Sequence, residues 1–197
     1  MPWKTIFGID YGNKFSGTTV ICYNSQYEAR FVESSKNSDA DAFILSETVH
    51  LGPSLIFIDA PLSLPGVYTM GNGFRDYFFR LCDKEMNALS PMFLGGLTAR
   101  AMRLKDELKS TGCRIIETYP RKLAEIMGLS EEYNKRSQSE IANYADTLAG
   151  KLDININKKT ITSWHHIDAL LAFISGIRYL NKEHEVYGKR KEGLVIV

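Results

Sequence analysis

The stretch that decides the fold is Ile6-Phe7-Gly8-Ile9-Asp10-Tyr11-Gly12, which is followed by Gly17-Thr18-Thr19-Val20-Ile21-Cys22. Its apolar residues predict a short strand that ends in one carboxylate, Asp10, and the glycine-bearing turn predicts a hairpin into a second strand. A carboxylate inside a protein is costly unless it is paired, hydrogen-bonded or bound to a metal. Asp10 is therefore either a turn residue or one member of a functional site, and the rest of the chain decides between the two.

Size and composition narrow the class of protein. The chain has 197 residues and a net charge of +1, and it is 44% hydrophobic and 24% charged. These values predict one globular domain over residues 1–197, with no apolar run near the roughly 20 residues that span a bilayer. The three cysteines are widely spaced and no signal-peptide pattern opens the chain, so we expect a cytoplasmic protein without disulfides and without a membrane partner. The low net charge counts mildly against a nucleic-acid partner.

Hydrophobic periodicity predicts the order of elements along the chain. Strands are predicted at 5–11, 17–23, 27–34, 54–59, 113–117 and 194–197. Helices are predicted at 38–50, 74–88, 96–110, 120–127, 139–149 and 167–180. A three-stranded meander followed by helix-linked strands indicates an α/β domain with a mixed sheet and a helical insertion at about residues 66–111.

Several acids are expected to meet at one edge of that sheet. Three predicted strands end in Asp10, Asp59 and Glu117, and the carboxyl ends of parallel strands form the edge where open α/β sheets bind ligands. His165 and Asp168 are three residues apart, which places both on one face of the last helix. Clustered carboxylates repel one another unless cations neutralise them, and carboxylate oxygens are suitable ligands for Mg²⁺ or Mn²⁺.

Each of these candidates also has a structural explanation. Asp10 and Glu117 could cap the turn or helix that follows them, and Asp59 could accept hydrogen bonds from the proline-rich loop after it. Asp168 interacts favourably with the dipole at a helix start, and His165 could be a packed, hydrogen-bonded side chain.

Two groups of charged residues have no assigned role. Arg75, Asp76, Arg80 and Asp83 lie along the helix predicted at 74–88, where Arg75 could contact phosphate and a solvated helix face is the simpler reading. The run 189–191, Lys-Arg-Lys, is either a local basic patch or a solvated tail before the last strand.

The acidic segments resemble the RNase H-like superfamily. The stretch 8–12 with Gly17 is similar to the first strand of Holliday-junction resolvases, including the YqgF type, and 165–170 is similar to the last, metal-binding helix of RuvC-type resolvases. Over nearly the whole chain, the sequence resembles an uncharacterised family of predicted RNase H-fold nucleases. The shared features are the opening Gly-Ile-Asp, the segments 58–65 and 117–120, an Asp-Ala-rich last helix and a closing apolar strand.

This resemblance implies an RNase H-like fold with a five-stranded sheet of order 3-2-1-4-5, in which strand 2 is antiparallel. It also implies a metal-dependent nuclease that hydrolyses phosphodiester bonds in DNA or RNA. Asp10, Asp59 and Asp168 would bind Mg²⁺ or Mn²⁺, and His165 or Glu117 would complete the catalytic set. His165 stands where many relatives carry an acid. The alternatives are a non-catalytic scaffold with this fold and an actin-like ATPase or phosphotransferase, which would need a second domain.

Overall fold

The computed structural model describes residues 5–25, 28–71, 73–135, 137–151 and 155–197. Within them the strands are β1 (Ile6–Asp10), β2 (Val20–Ser25), β3 (Glu28–Glu33), β4 (Leu55–Asp59), β5 (Arg114–Glu117), β6 (Asn155–Ile156), β7 (Val186–Lys189) and β8 (Gly193–Ile196). The α-helices are α1 (Ala40–Leu51), α2 (Gly66–Thr69), α3 (Leu81–Glu85), α4 (Pro91–Leu94), α5 (Gly96–Leu108), α6 (Pro120–Ile126), α7 (Ile141–Gly150) and α8 (Trp164–Asn181). None of these helices combines the length and the apolarity that crossing a membrane requires.

The strands form one mixed sheet of order β6-β3-β2-β1-β4-β5-β8-β7. β2 runs antiparallel to β1 and β3, whereas β1, β4 and β5 are parallel. The predicted order 3-2-1-4-5 with an antiparallel strand 2 is therefore present at the centre. The predicted number of five strands is wrong, because the described residues place eight strands in the sheet.

The additional strands lie at the two edges of the sheet. β6 contains only two residues beside β3, which is too short for a periodic pattern to reveal. β7 forms a hairpin with β8, and β8 pairs with β5. The predicted third strand, 27–34, begins outside the described residues at Tyr27 and is otherwise β3.

The helix predicted at 74–88 is wrong in its first half, since only α3 is helical there. The Asp76 carboxylate accepts hydrogen bonds from the backbone N–H groups of Phe78 and Phe79, both at 2.8 Å. Such local bonds compete with helix formation. Arg80 is then extended, with φ −78° and ψ 166°, and α3 begins at the next residue.

The face of the sheet that carries the candidate acids follows from side-chain alternation. Ile9 and Ile58 lie in the core cluster that also contains residues of α1 and α5. The next residue of each strand is Asp10 or Asp59, so both carboxylates lie on the opposite face, which α8 covers.

The backbone of α8 lies directly against β1 because a glycine faces it. A Cβ added to Gly8 would lie 2.0 Å from the Phe173 nitrogen and 2.4 Å from the Ala169 oxygen. A Cβ on Gly176 of α8 would likewise lie 2.7 Å from Cγ2 of Ile6. This close approach sets the distance of α8 from the sheet and brings the first turn of α8 next to the carboxyl end of β1.

We expect Gly8→Ala to lower the free energy of unfolding by about 3 kcal/mol or more, because the atoms that the new methyl group meets are backbone atoms that cannot rotate away. Chemical denaturation measures this change. The matched control is Gly96→Ala, since a Cβ there meets no atom within 4 Å and alanine is the better helix former. Equal stabilities of the two variants would contradict the proposed close contact.

Candidate active site at the carboxyl ends of β1 and β4

Asp10 and Asp59 are direct neighbours in the register of the parallel strands β1 and β4. The Asp10 carboxylate is hydrogen-bonded to Nδ1 of His165 at 2.7 Å. The Asp59 carboxylate has no hydrogen bond and no ion pair with any described residue. Burial, together with the Asp10 and Asp168 carboxylates, raises the pKa of Asp59 well above its usual range. An ionised Asp59 is therefore disfavoured in this site unless a cation joins it.

The first turns of α8 place His165 and Asp168 beside Asp10 and Asp59. His165 is about half exposed, at 47% of its side chain, and its hydrogen bond to Asp10 raises the pKa of the imidazole. Because an ionised carboxylate only accepts hydrogen bonds, Nδ1 of His165 carries the shared proton and Nε2 is left for other partners. Asp168 is buried, with 3% of its side chain exposed.

Asp168 is held by two residues from the loop after α6. Its carboxylate accepts hydrogen bonds from the Tyr133 hydroxyl and from Nζ of Lys135. Burial raises the pKa of Asp168 to about 6, and Asp10 adds to this increase while Lys135 opposes it. Three carboxylates are thus close enough to perturb one another.

Lys135 supplies a positive charge to this acidic cluster. Burial alone would lower the pKa of its ammonium group, but Asp168, Asp59 and Asp10 raise it. The ammonium also lies over the ring of Tyr133, 5.1 Å from the ring centre. Neither loop residue was a candidate from the sequence, because the polar segment between α6 and α7 has no strand or helix periodicity that would place it.

Glu117 lies in a different environment from the other acids. It pairs in register with Ile58 rather than with Asp59, and a shift of one residue along a strand reverses the face of the sheet. The next residue, Thr118, lies on the α8 face, where its hydroxyl donates a hydrogen bond to Ser175 at 2.9 Å. The structure therefore brings Asp10, Asp59, His165 and Asp168 together on the α8 face, and Glu117 lines the same cleft as Asp10 and Asp59 from the other face of the sheet.

The Glu117 carboxylate is bound by a buried arginine. Nη1 and Nη2 of Arg80 donate to it at 2.8 and 2.7 Å, and the backbone N–H of Leu62 donates at 2.8 Å. Arg80 also pairs with Asp83 at 2.6 Å. Burial opposes the charge of Arg80, but the hydrogen bonds and charges of Glu117 and Asp83 raise its pKa. The prediction of a solvated face for Arg80 and Asp83 is wrong, since both are buried.

A cleft of about 240 Å³ opens beside the acids. Its charged lining consists of Asp10, Asp59, Glu117, Arg80 and Asp83. Its apolar lining includes Met86, Ala88, Leu89, Leu94 and Leu97. The cleft therefore offers charged groups for chemistry and apolar surface for the body of a substrate.

A metal ion fits the donor chemistry of the cleft. Carboxylate oxygens are ligands that Mg²⁺ and Mn²⁺ accept, and the Asp59 carboxylate has no hydrogen-bond donor and no ion-pair partner among the described residues. In the ranges that the structure describes, however, no group of three or more His, Cys, Asp or Glu side chains is close enough to hold one ion. Asp168 is instead turned toward Lys135.

Comparisons with known proteins give distant structural likenesses. No protein-family model and no curated protein matches the chain. The fold is similar to a Thermus thermophilus RuvC structure at 15% sequence identity and a TM-score of 0.45, over 93% of this chain and 98% of that one. It is also similar to a mutant nuclease domain of the large terminase subunit of the bacterial virus Sf6 with manganese, at 9% identity and a TM-score of 0.29, over 99% and 77% of the two chains.

Neutralisation of Asp59 and of Glu117 should have opposite effects, because burial raises the pKa of both carboxyl groups but only Glu117 is hydrogen-bonded to a buried cation, Arg80, which would lose its partner. In metal-free solution at pH 7.5, we expect Asp59→Asn to raise the melting temperature by about 2–4 °C, the shift that about 1 kcal/mol produces in a domain of this size. The reason is that the raised pKa of Asp59 makes its ionisation unfavourable to the folded state. The gain should disappear near pH 4, because the wild-type acid is then largely protonated in the folded state and increasingly so in the unfolded state.

The matched variant is Glu117→Gln, which removes the charge that binds Arg80. We expect it to lower the free energy of unfolding by about 1.5–3 kcal/mol, the range for lost hydrogen bonds to a charged group. Thermal and chemical unfolding of both variants in EDTA measures these changes. A stabilised Glu117→Gln or a destabilised Asp59→Asn would be incompatible with the assigned electrostatics.

Proposed function

We propose that the protein is a divalent-metal-dependent nuclease that hydrolyses phosphodiester bonds in DNA or RNA. The observation that carries this proposal is the unpaired Asp59 carboxylate beside Asp10 and Asp168, in a cleft at the carboxyl ends of parallel strands. Ligand sites of open α/β sheets lie at this edge. The sequence resemblance to RNase H-fold nucleases supports the same reaction class, and family membership is part of the proposal, as is a cytoplasmic location.

In the proposed reaction, Asp10, Asp59 and Asp168 would bind Mg²⁺ or Mn²⁺. Such an ion supplies charge that activates a water molecule and stabilises the leaving oxygen of a phosphodiester. The residues of the chain provide the arrangement. Asp59 offers oxygens without hydrogen-bond partners, and the apolar residues of the cleft offer surface for the body of a substrate.

His165 is the proton-transfer group of the proposal. Asp10 fixes the orientation of its ring through Nδ1, so Nε2 faces the part of the site that is not occupied by Asp10. The hydrogen bond to Asp10 raises the pKa of His165, which favours the protonated imidazole, the form that would give a proton to a leaving oxygen. Glu117 has a positioning role in this proposal, since it orients Arg80 at the border of the cleft.

One observation favours a second candidate function, a non-catalytic nucleic-acid-binding or scaffold protein. The ion pair of Lys135 with Asp168 already neutralises part of the acidic cluster. A protein that uses this pair in place of a metal would gain no thermal stability from Mn²⁺, because only a ligand of the folded state raises stability.

Cleavage assays test the nuclease directly. Purified protein with Mn²⁺ should cut branched, single-stranded or RNA–DNA hybrid substrates, and EDTA should stop the reaction. Asp10→Asn and Asp59→Asn should each lower the rate by at least about 100-fold, the scale on which electrostatic groups in active sites contribute.

The control for these variants is Asp146→Asn, which changes an exposed acid on α7 that pairs with Lys158 and lies outside the cleft. Its rate should equal that of the wild type. Absence of cleavage by the wild type on every substrate, or full activity of Asp10→Asn, would overturn the nuclease proposal.

Lys135 should compete with a metal ion for Asp168. We expect Lys135→Met to bind Mn²⁺ about fivefold more tightly or better in calorimetry, because one positive charge leaves the cluster and a repulsion of about 1 kcal/mol or more at close range is lost. The control is Lys122→Met, which removes a lysine that pairs with Glu125 on α6. Unchanged Mn²⁺ affinity in Lys135→Met would mean that the two cations do not share a site.

A further inference from the structure

An open groove of about 610 Å³ lies between the segment 73–81 and the β7–β8 hairpin. This volume falls in the range of roughly 300–1,000 Å³ that ligand sites occupy. The groove is separate from the acidic cleft, and α3 lies between the two. Leu81 lines the groove, whereas Asp83 and Met86 line the cleft.

Aromatic rings of the groove are unusually exposed. Tyr77 and Phe78, which line it, are 60% and 53% exposed. They continue into further exposed rings, since Tyr68 contacts Tyr77 at 6.0 Å between ring centres and Phe93 contacts Phe78 at 5.7 Å. Contiguous exposed apolar surface of this kind marks an interaction site.

The acids of the groove are already satisfied. Asp76 pairs with Lys84 at 2.5 Å and accepts the two backbone hydrogen bonds of its turn. Glu192 is buried and accepts from the backbone N–H groups of Gly66 and Leu81, both at 2.9 Å.

The cations that remain give the groove a positive character. Arg75 and Lys189 line it and form no ion pair with any described residue. Arg190 and Lys191 follow directly in the turn of the hairpin and are exposed. The structure thus brings Arg75 close to the basic run 189–191, although residues 75 and 189 are 114 positions apart in the sequence.

We propose that this groove binds an unpaired segment of a nucleic-acid strand. Exposed aromatic rings stack on bases of any sequence, and neighbouring cations contact the phosphates, which is the chemistry of single-strand binding. Tyr77 and Phe78 are the stacking rings, and Arg75 and Lys189 are the phosphate contacts. In a duplex the bases are stacked on one another, so a duplex cannot use these rings.

The groove would deliver a strand to the acidic cleft, and in this respect the inference rests on the proposed function. Phe93 contacts the aromatic rings of the segment, and the next residue of α4, Leu94, lines the cleft beside Asp10 and Asp59. The helix α4 thus has one residue at the aromatic rings beside the groove and the next at the cleft, and a strand held in the groove would pass along α4 to the carboxylates. The substrate class that follows is nucleic acid with an unpaired region.

Fluorescence anisotropy tests this inference without cleavage. The probes are labelled oligothymidylate and oligouridylate of about 15 nucleotides, near the upper size of single-strand sites, and a duplex of the same length. Binding is measured in EDTA with the Asp10→Asn protein, so that no cleavage occurs. We expect both single strands to bind more tightly than the duplex, and a preference between them identifies DNA or RNA.

Variants assign the binding to the groove. Tyr77→Ala should weaken single-strand binding by about tenfold, within the range for one stacked base, whereas Tyr77→Phe should bind like the parent. Lys189→Gln should reduce the slope of log K against log salt concentration by about 0.7, the contribution of one phosphate contact to a single strand.

The controls change similar residues elsewhere on the surface. Leu180→Ala alters an exposed apolar residue near the end of α8. Lys109→Gln alters an exposed lysine that precedes β5, near the amino end of that strand and away from the acids at the carboxyl ends. Both should leave affinity and salt slope unchanged. Melting temperatures of all variants confirm that each is folded.

The outcomes separate this inference from the nuclease proposal. Groove-dependent binding without cleavage by the wild type supports the inference and overturns the nuclease. If the wild type cleaves nucleic acid but Tyr77→Ala and Lys189→Gln leave single-strand binding unchanged, the result supports the nuclease and overturns the inference. Failure to bind any single strand, or a self-association of the chain that Tyr77→Ala abolishes, also overturns it, because the groove would then be a protein interface.

Discussion

The contact between the backbones of α8 and β1 is the constraint on which the rest of the structure depends. It exists because Gly8 has no Cβ, so Phe173 and Ala169 can approach the strand to a distance that every other residue would prevent. α8 runs along β1 in the opposite direction, and its first turn therefore reaches the end of the strand. The hydrogen bond between Asp10 and His165 and the burial of Asp168 are consequences of this one packing distance.

The candidate site is electrostatically unfavourable to the folded chain. The Asp59 carboxylate has no hydrogen-bond donor and no ion-pair partner among the described residues, and two further carboxylates lie near it. The charge of Lys135, which pairs with Asp168, offsets only part of this repulsion. By contrast, Glu117 is fully satisfied by Arg80 and Leu62. Glu117 is therefore an acid that stabilises the fold, whereas Asp59 and the carboxylates beside it are arranged in a way that suits a ligand. Unsatisfied charge of this kind persists mainly where function requires it.

Much of the fold could be predicted from the sequence, because apolar runs and strand-terminal acids are local signals. The nearness of Asp10 to Asp59 and to the start of α8 followed from them, whereas the central strand order was implied by the resemblance to the RNase H-like fold. The face on which Glu117 lies could not be predicted. Glu117 pairs with Ile58, the residue before Asp59, so its side chain lies on the other face of the sheet, and the sequence does not determine this register. The helix predicted at 74–80 does not form because the Asp76 side chain accepts hydrogen bonds from two backbone N–H groups. The position of Lys135 could not be predicted because its segment has no strand or helix periodicity.

The buried ion pairs of Arg80 join the insertion to the sheet. Arg80 comes from the segment between β4 and β5, yet its guanidinium is held by Glu117 of β5, at the end of a central strand. Detaching the insertion would leave the buried Glu117 carboxylate without its cation, and breaking a buried ion pair costs several kcal/mol, a large part of the stability of a domain. The insertion is therefore not an independent appendage. The ion pair couples its stability to that of the sheet, and an evolutionary change in its length or position would have to preserve the path of the chain through residue 80.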